Sequence, residues 1–316
     1  MAALFAMVYA IGWDEIITNI QKTGWWFFGI IGVWLAVYLL NAVAWGVIIK
    51  DEDNGNKISK MTILRLTISG YAINYSTPMG LAGGEPYRIM ELSRFVGGKK
   101  ATSSVLLYAM MHFVSHFFLW ILSIFLLAWV APLSLAQSIL LTGVFVVCAG
   151  LIYLFFRGYR KGMLVKLSKW CMHLPFAKKR IHAFIDKHRD NIQEIDIQIS
   201  DLYLNRKETF VLSLSLEFLA RIVSCFEVFF IFHSIGQTIW YVDCIVLVAL
   251  SSLFANILCF TPMQLGTREG GFALALSALK MSAGFGIYVS LITRIREVFW
   301  IIIGLLLVKF SPKKHD

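Results

Sequence analysis

The sequence predicts an all-α, polytopic integral membrane protein with about 6–8 membrane segments, and three observations lead there. Of its 316 residues 58% are hydrophobic and only 15% are charged, which is too apolar for one soluble core. The apolar residues come in unbroken runs, near the roughly 20 residues that a helix needs to cross about 30 Å of hydrocarbon. The charges gather between those runs. A closed barrel would read instead as alternating segments of about ten residues.

The first apolar stretch, 2–12, has no basic flank and is followed by Asp14 and Glu15 rather than by a small-residue cleavage site. A surface-lying or partial helix is expected there, not a cleaved leader. Full spans are predicted at 25–49, 101–130, 133–156, 209–235 and 284–309, with Trp25, Trp26, Phe27 and Phe28 as interface anchors. Two further runs, 61–82 and 239–263, end in helix breakers. The whole chain, 1–316, reads as one domain with halves at about 24–156 and 209–310 around a basic loop at 157–208. The five cysteines form no close pair, so neither a disulfide framework nor a zinc cluster is predicted.

The net charge of +10 raises nucleic acid as a partner. Its placement argues against that. Residues 157–207 hold twelve Lys/Arg against five acids, and a basic loop beside membrane spans is explained by a cytoplasmic location and anionic head groups. Counting outward from this loop puts the C-terminus, with Lys309, Lys313 and Lys314, in the cytoplasm. Charged flanks at Lys50–Lys60 and Arg94–Lys100 then require 61–98 to enter and leave on the cytoplasmic face, and 239–280 to do so from outside. The same loop hides a predicted helix at 178–204, with Ile181, Ile185, His188, Ile192, Ile195, Ile199 and Leu202 along one seam. The seam lies on the membrane or on the protein's own inner face, or it joins two copies in a homo-oligomer.

The two hairpin turns read alike. Thr77-Pro78-Met79-Gly80-Leu81-Ala82-Gly83-Gly84-Glu85 matches Thr261-Pro262-Met263-Gln264-Leu265-Gly266-Thr267-Arg268-Glu269 at five positions of nine. Pro78 and Pro262 interrupt apolar runs, and each precedes a glutamate by seven residues. Unwound backbone at membrane depth survives only where protein or a watery cavity satisfies it. Two proline-broken re-entrant hairpins in an inverted repeat point to a central transport site.

These two stretches, TPMGLAGGEPYRIMELSRFVGGKKATSSV and TPMQLGTREGG with the later LITRIREVFWIIIGLLL, resemble the signatures of the lysylphosphatidylglycerol synthase transmembrane-region family, also called flippase-like. The order and spacing of the spans resemble that family over nearly the whole chain. The resemblance implies a domain that translocates aminoacylated phosphatidylglycerol when joined to a cytosolic aminoacyl transferase. Stand-alone members are thought to move other lipids or polyprenyl-linked sugars. The chain ends at Asp316, soon after its last apolar run, so a stand-alone member of the inner membrane is expected. The family pattern carries over to Gly84, Glu85, Arg88, Pro262, Gly266, Arg268, Glu269 and Arg294. It departs where the family has a Glu-Arg pair, since this chain reads Leu107-Tyr108-Ala109-Met110-Met111-His112.

Charged residues inside spans need a partner or a purpose, because each costs about 2.5–3.5 kcal/mol on insertion scales. The expected substrate pathway comprises Thr77, Pro78, Gly83, Gly84, Glu85, Arg88, Thr261, Pro262, Gly266, Arg268, Glu269 and Arg294, with Glu85 and Arg268 meeting at a shared central site. Secondary candidates are His112, His116, Glu217, Arg221, Glu227 and Glu297. Glu217 and Arg221 have the spacing of a direct pair on one helix face, read equally as structural or as part of the pathway. Arg294, Arg296 and Glu297 form the densest charge cluster. His112 and His116 share a face as an interior hydrogen-bonded pair, or as a proton relay or head-group contact. No metal and no cofactor is predicted. The glycines before Glu85 could cradle a phosphate, but no Walker lysine and threonine accompany them, so a lipid phosphate near Arg88 or Arg268 fits better than a nucleotide. The leading function is a lipid transporter for a phosphate-bearing or lipid-linked head group. The alternatives are a membrane-embedded transferase or hydrolase with Glu85 or Glu269 as general base, or a non-catalytic scaffold.

Overall fold

A computed structural model describes residues 13–50, 58–76, 83–161, 189–257, 266–282 and 284–309. The described residues form helices joined by short connections. The expected segment 2–12 lies outside them. A short helix, α1 (Trp13–Thr23), follows it, tied by Thr23 Oγ1 to Tyr288 Oη at 2.9 Å. At 1.5 Å per residue it is about 16 Å long, too short to cross.

α2 (Trp26–Ile49), α5 (Gly98–Val130) and α6 (Leu135–Lys161) carry the three stretches long and apolar enough to span a bilayer by length and composition. α2 is apolar on every side, as a helix between protein and lipid must be. α6 leaves Leu135, Ile139, Leu140 and Val146 exposed, the surface expected where the neighbour is lipid. α12 (Gly284–Lys309) has the length, 26 residues, but carries Arg294, Arg296 and Glu297 at its middle. The predicted span 209–235 is divided at Cys225 into α8 (Lys207–Ser224) and α9 (Phe226–Ser234). There the Cys225 N–H reaches back three residues to the Ile222 carbonyl, a locally tightened turn.

Both predicted hairpins form as antiparallel helix pairs. α3 (Lys60–Ser76) packs on α4 (Gly84–Val96), and α10 (Tyr241–Ile257) on α11 (Thr267–Ala278). Each pair is pinned by a glycine. A Cβ on Gly84 would lie 2.2 Å from the Gly70 carbonyl oxygen, and one on Gly271 would lie 2.9 Å from Ser251 Cα. Small residues let membrane helices approach this closely. The first helix of each hairpin leans on the other half of the chain: α3 runs along α12, and α10 runs along α5. α2 and α8 pack together between them.

The contact of α3 with α12 depends on Gly304, where a Cβ would fall 2.3 Å from Ala72 Cβ and 2.9 Å from the Ile68 carbonyl oxygen. Gly304→Val should therefore push the two helices apart and cost about 1–3 kcal/mol. Detergent-denaturant unfolding checks this against Ile302→Val, at an exposed position two residues away, which should change nothing measurable.

α7 (Arg189–Asn205) is the described part of the helix predicted at 178–204; Ile181, Ile185 and His188 lie outside the described residues. Ile199 is buried, Ile195 is half-buried beside it, and Ile197 is exposed, so this part of the seam faces the protein; the side chains of Ile192 and Leu202 lie outside the described ones. It packs on α5, α6 and α8.

Candidate functional site

Ionisable side chains of this chain sit in the interior as a set of matched pairs. Glu227 receives two bonds from Arg296, Nε to Oε1 at 2.8 Å and Nη2 to Oε2 at 3.0 Å. Trp34 Nε1 donates to the same carboxylate at 2.8 Å, and its ring lies 3.7 Å beneath the Arg296 guanidinium. Arg268 donates to Glu297 at 2.5 Å. Arg294 grips Glu269 Oε1 through Nε at 3.0 Å and Nη2 at 2.7 Å. The two-oxygen, bidentate grip of Arg296 on Glu227 is the geometry that holds an ion pair in a low-dielectric interior.

Glu269 is satisfied further. Its Oε1 also accepts from Ser290 Oγ at 2.8 Å, and its Oε2 takes the Gly266 N–H at 2.9 Å. Gly266 has φ +79°, the left-handed region that suits glycine. Glu269 thus closes the start of α11 and fastens it to α12. In the first hairpin Asn74 plays the corresponding part. Its Oδ1 takes the Gly84 N–H at 2.7 Å and its Nδ2 donates to Glu85 at 3.0 Å. Arg88 is 3.7 Å from Glu85, donates to the Thr67 carbonyl at 3.1 Å, and has the rings of Tyr71, Tyr108 and Trp45 within 4.9–5.8 Å. It is 2% exposed. These contacts make Arg88 a sealed aromatic-cage cation, which takes it away from any passing head group.

Two arrangements differ from expectation. Glu217 and Arg221 do not bond to each other directly. His112 of α5 stands between them, with Nδ1 at 2.8 Å from Glu217 Oε2 and the ring against Arg221 Nη2. A neutral ring that gives its Nδ1 proton to Glu217 keeps Nε2 as the acceptor for Arg221, so the three form one chain. Nor do Glu85 and Arg268 meet at one site: Glu85 is engaged with Asn74 and Arg88, and Arg268 with Glu297.

Between the two halves lies a cavity of roughly 250 Å³, several times the roughly 30 Å³ share of one water. Of the expected residues, Arg268, His112, His116, Arg221, Glu227 and Glu297 line it. Gly84, Glu85, Arg88, Glu269 and Arg294 do not; they brace the starts of α4 and α11. Gly83 precedes α4 beside them. Thr77, Pro78, Thr261 and Pro262 lie outside the described residues. Sequence reasoning missed Trp34, Asn41, Tyr71, Tyr75, Ser252 and Asn256, which also line the cavity. Trp34 and Tyr71 looked like ordinary aromatic residues of apolar runs, and Asn41 and Asn256 were the only signal available, as amides inside such runs. Among the described residues no group of three or more His, Cys, Asp and Glu could hold a metal.

A family model described as the lysylphosphatidylglycerol synthase TM region matches residues 1–304. No curated protein and no solved structure matches the chain.

Proposed function

We propose, since this chain belongs to the lysylphosphatidylglycerol synthase TM region family, that it moves a phospholipid or lipid-linked head group across the membrane through the cavity between its halves. The observation that carries this reading is the lining itself: arginines, glutamates, histidines and amides from both halves surround an open space at the level of apolar helices. Polar surface at that depth is tolerated only where it faces protein or a polar cargo. Exchange of the hairpin helices between the halves supports an inverted repeat. The placement of the basic residues supports 61–98 opening to the cytoplasm and 239–280 to the outside, with the 157–208 loop and C-terminus cytoplasmic.

Chemistry on the lipid fits less well. The two cavity carboxylates, Glu227 and Glu297, are held by arginine, and Glu269 accepts four hydrogen bonds. A carboxylate so engaged is a poor general base. The test is reconstitution into vesicles carrying a head-group-labelled phospholipid. Membrane-impermeant quencher should reach nearly all the label in protein-containing vesicles but only the outer half in protein-free ones, and the recovered lipid should be unchanged. A chemically altered lipid assigns an enzyme instead. Label that stays half protected contradicts the transport reading.

A further inference from the structure

The arginines facing the cavity are not equivalent. Arg268 and Arg296 each contact a carboxylate of the wall directly, Glu297 and Glu227. Arg221 contacts the His112 ring and, at 3.4 Å, Ser115 Oγ, because His112 has intercepted Glu217. Its Nη1 has no hydrogen bond among the described residues. Two polar atoms of cavity-lining side chains are buried without a partner among the described residues, Asn41 Oδ1 and His116 Nδ1. Asn41 is only 3% exposed, and its Nδ2 is already given to Tyr71 Oη at 3.1 Å. Its Oδ1 can only accept, so it calls for a donor.

These atoms belong to one wall. Tyr71 Oη lies 3.4 Å from His112 Nδ1, the His112 ring meets Arg221, and His116 packs edge-on against His112 with centroids 5.5 Å apart. An anion-seeking guanidinium and a donor-seeking carbonyl oxygen are thus separated by a short hydrogen-bonded chain. The lining holds three arginines, Arg221, Arg268 and Arg296, against two glutamates, Glu227 and Glu297. Glu217, one bond behind His112, balances the count. A cargo that preserves this balance avoids placing a net charge in a low-dielectric interior.

We propose that this wall is a subsite for a net-neutral phosphodiester head group that carries an ammonium arm. Arg221 Nη1 and His116 hold the phosphate, and Asn41 Oδ1 accepts from the ammonium. The assignment rests on the lipid-moving reading above and narrows its cargo to zwitterionic phospholipids.

Native mass spectrometry of the full-length protein, titrated separately with phosphatidylethanolamine, phosphatidylglycerol and inorganic phosphate, tests it. Wild-type protein should retain phosphatidylethanolamine about tenfold better than phosphatidylglycerol. Arg221→Gln should lower that retention by about tenfold or more, the scale of one lost charge-assisted bond, with Arg221→Lys partly restoring it. Asn41→Leu should abolish the preference between the two lipids while phosphatidylglycerol binding persists. Equal or reversed preference in the wild type overturns the proposal, as does undiminished retention by Arg221→Gln. Displacement of the lipid by millimolar inorganic phosphate assigns a free-anion site and also overturns it. Should Arg221→Gln fail to fold, an unchanged preference in Asn41→Leu is decisive against it. Selective binding combined with no lipid movement by wild-type vesicles would sink the transport reading and leave the subsite standing; movement without selectivity would do the reverse.

Discussion

Arg296→Met should destabilise the protein by about 3–5 kcal/mol, the scale for stripping one partner from a buried ion pair. Arg296 is 3% exposed and Glu227 5%, and the pair joins α12 to α9 through two parallel hydrogen bonds. Methionine fills much of the same volume but answers none of the charge. Glu227 would keep only the Trp34 indole N–H, and Trp34 would lose the guanidinium stacked on its face. The double variant Arg296→Met with Glu227→Leu should recover about half of the loss, because it removes both charges together and leaves one indole N–H unmatched, worth roughly 1–3 kcal/mol. Denaturant unfolding of the detergent-purified protein reads both numbers. A single variant as stable as wild type would mean that water already reaches Glu227, and that the pair is not sealed.

That pair illustrates where sequence reasoning reaches and where it stops. Spans were legible because lipid demands continuous apolar length, and the hairpins because Pro78 and Pro262 break such runs at matched distances from Glu85 and Glu269. It was legible too that adjacent Arg268 and Glu269 must turn to different partners, since neighbours on a helix diverge by about 100°. That those partners would be Glu297 and Arg294 of α12 depends on how α11 docks, which no spacing within α11 encodes. The four-residue spacing of Glu217 and Arg221 suggested a direct pair for the same reason that it misled. Helix periodicity sees one helix, whereas His112 arrives from α5 to occupy the gap. The cavity wall was the least legible part, because Trp34 and Tyr71 count as apolar in any run that predicts a span. Only contact with Glu227, in one case, and with Asn41, in the other, reveals their polar ends.

The second large effect concerns the space itself. If the cavity is the route, filling it must stop lipid movement without disturbing the ion pairs that hold the halves together. Ser224 and Ala255 suit this purpose. Ser224 lines the cavity at the end of α8, with its hydroxyl bonded to the Arg221 carbonyl of its own helix. Ala255 lines it from the last turn of α10. An indole at either position would take up much of a space of roughly 250 Å³. Leu140 is the matching control, since it is 68% exposed on α6, where a larger apolar side chain meets only the surroundings.

The central claim is therefore met most directly by the rate of labelled-phospholipid movement in vesicles holding wild-type protein, Ser224→Trp, Ala255→Trp or Leu140→Trp, each first shown to elute as a single species. The account predicts wild-type movement for Leu140→Trp and movement near the protein-free background for both cavity variants. Wild-type rates in folded Ser224→Trp and Ala255→Trp would contradict it, because a head group cannot pass through a space that an indole already fills.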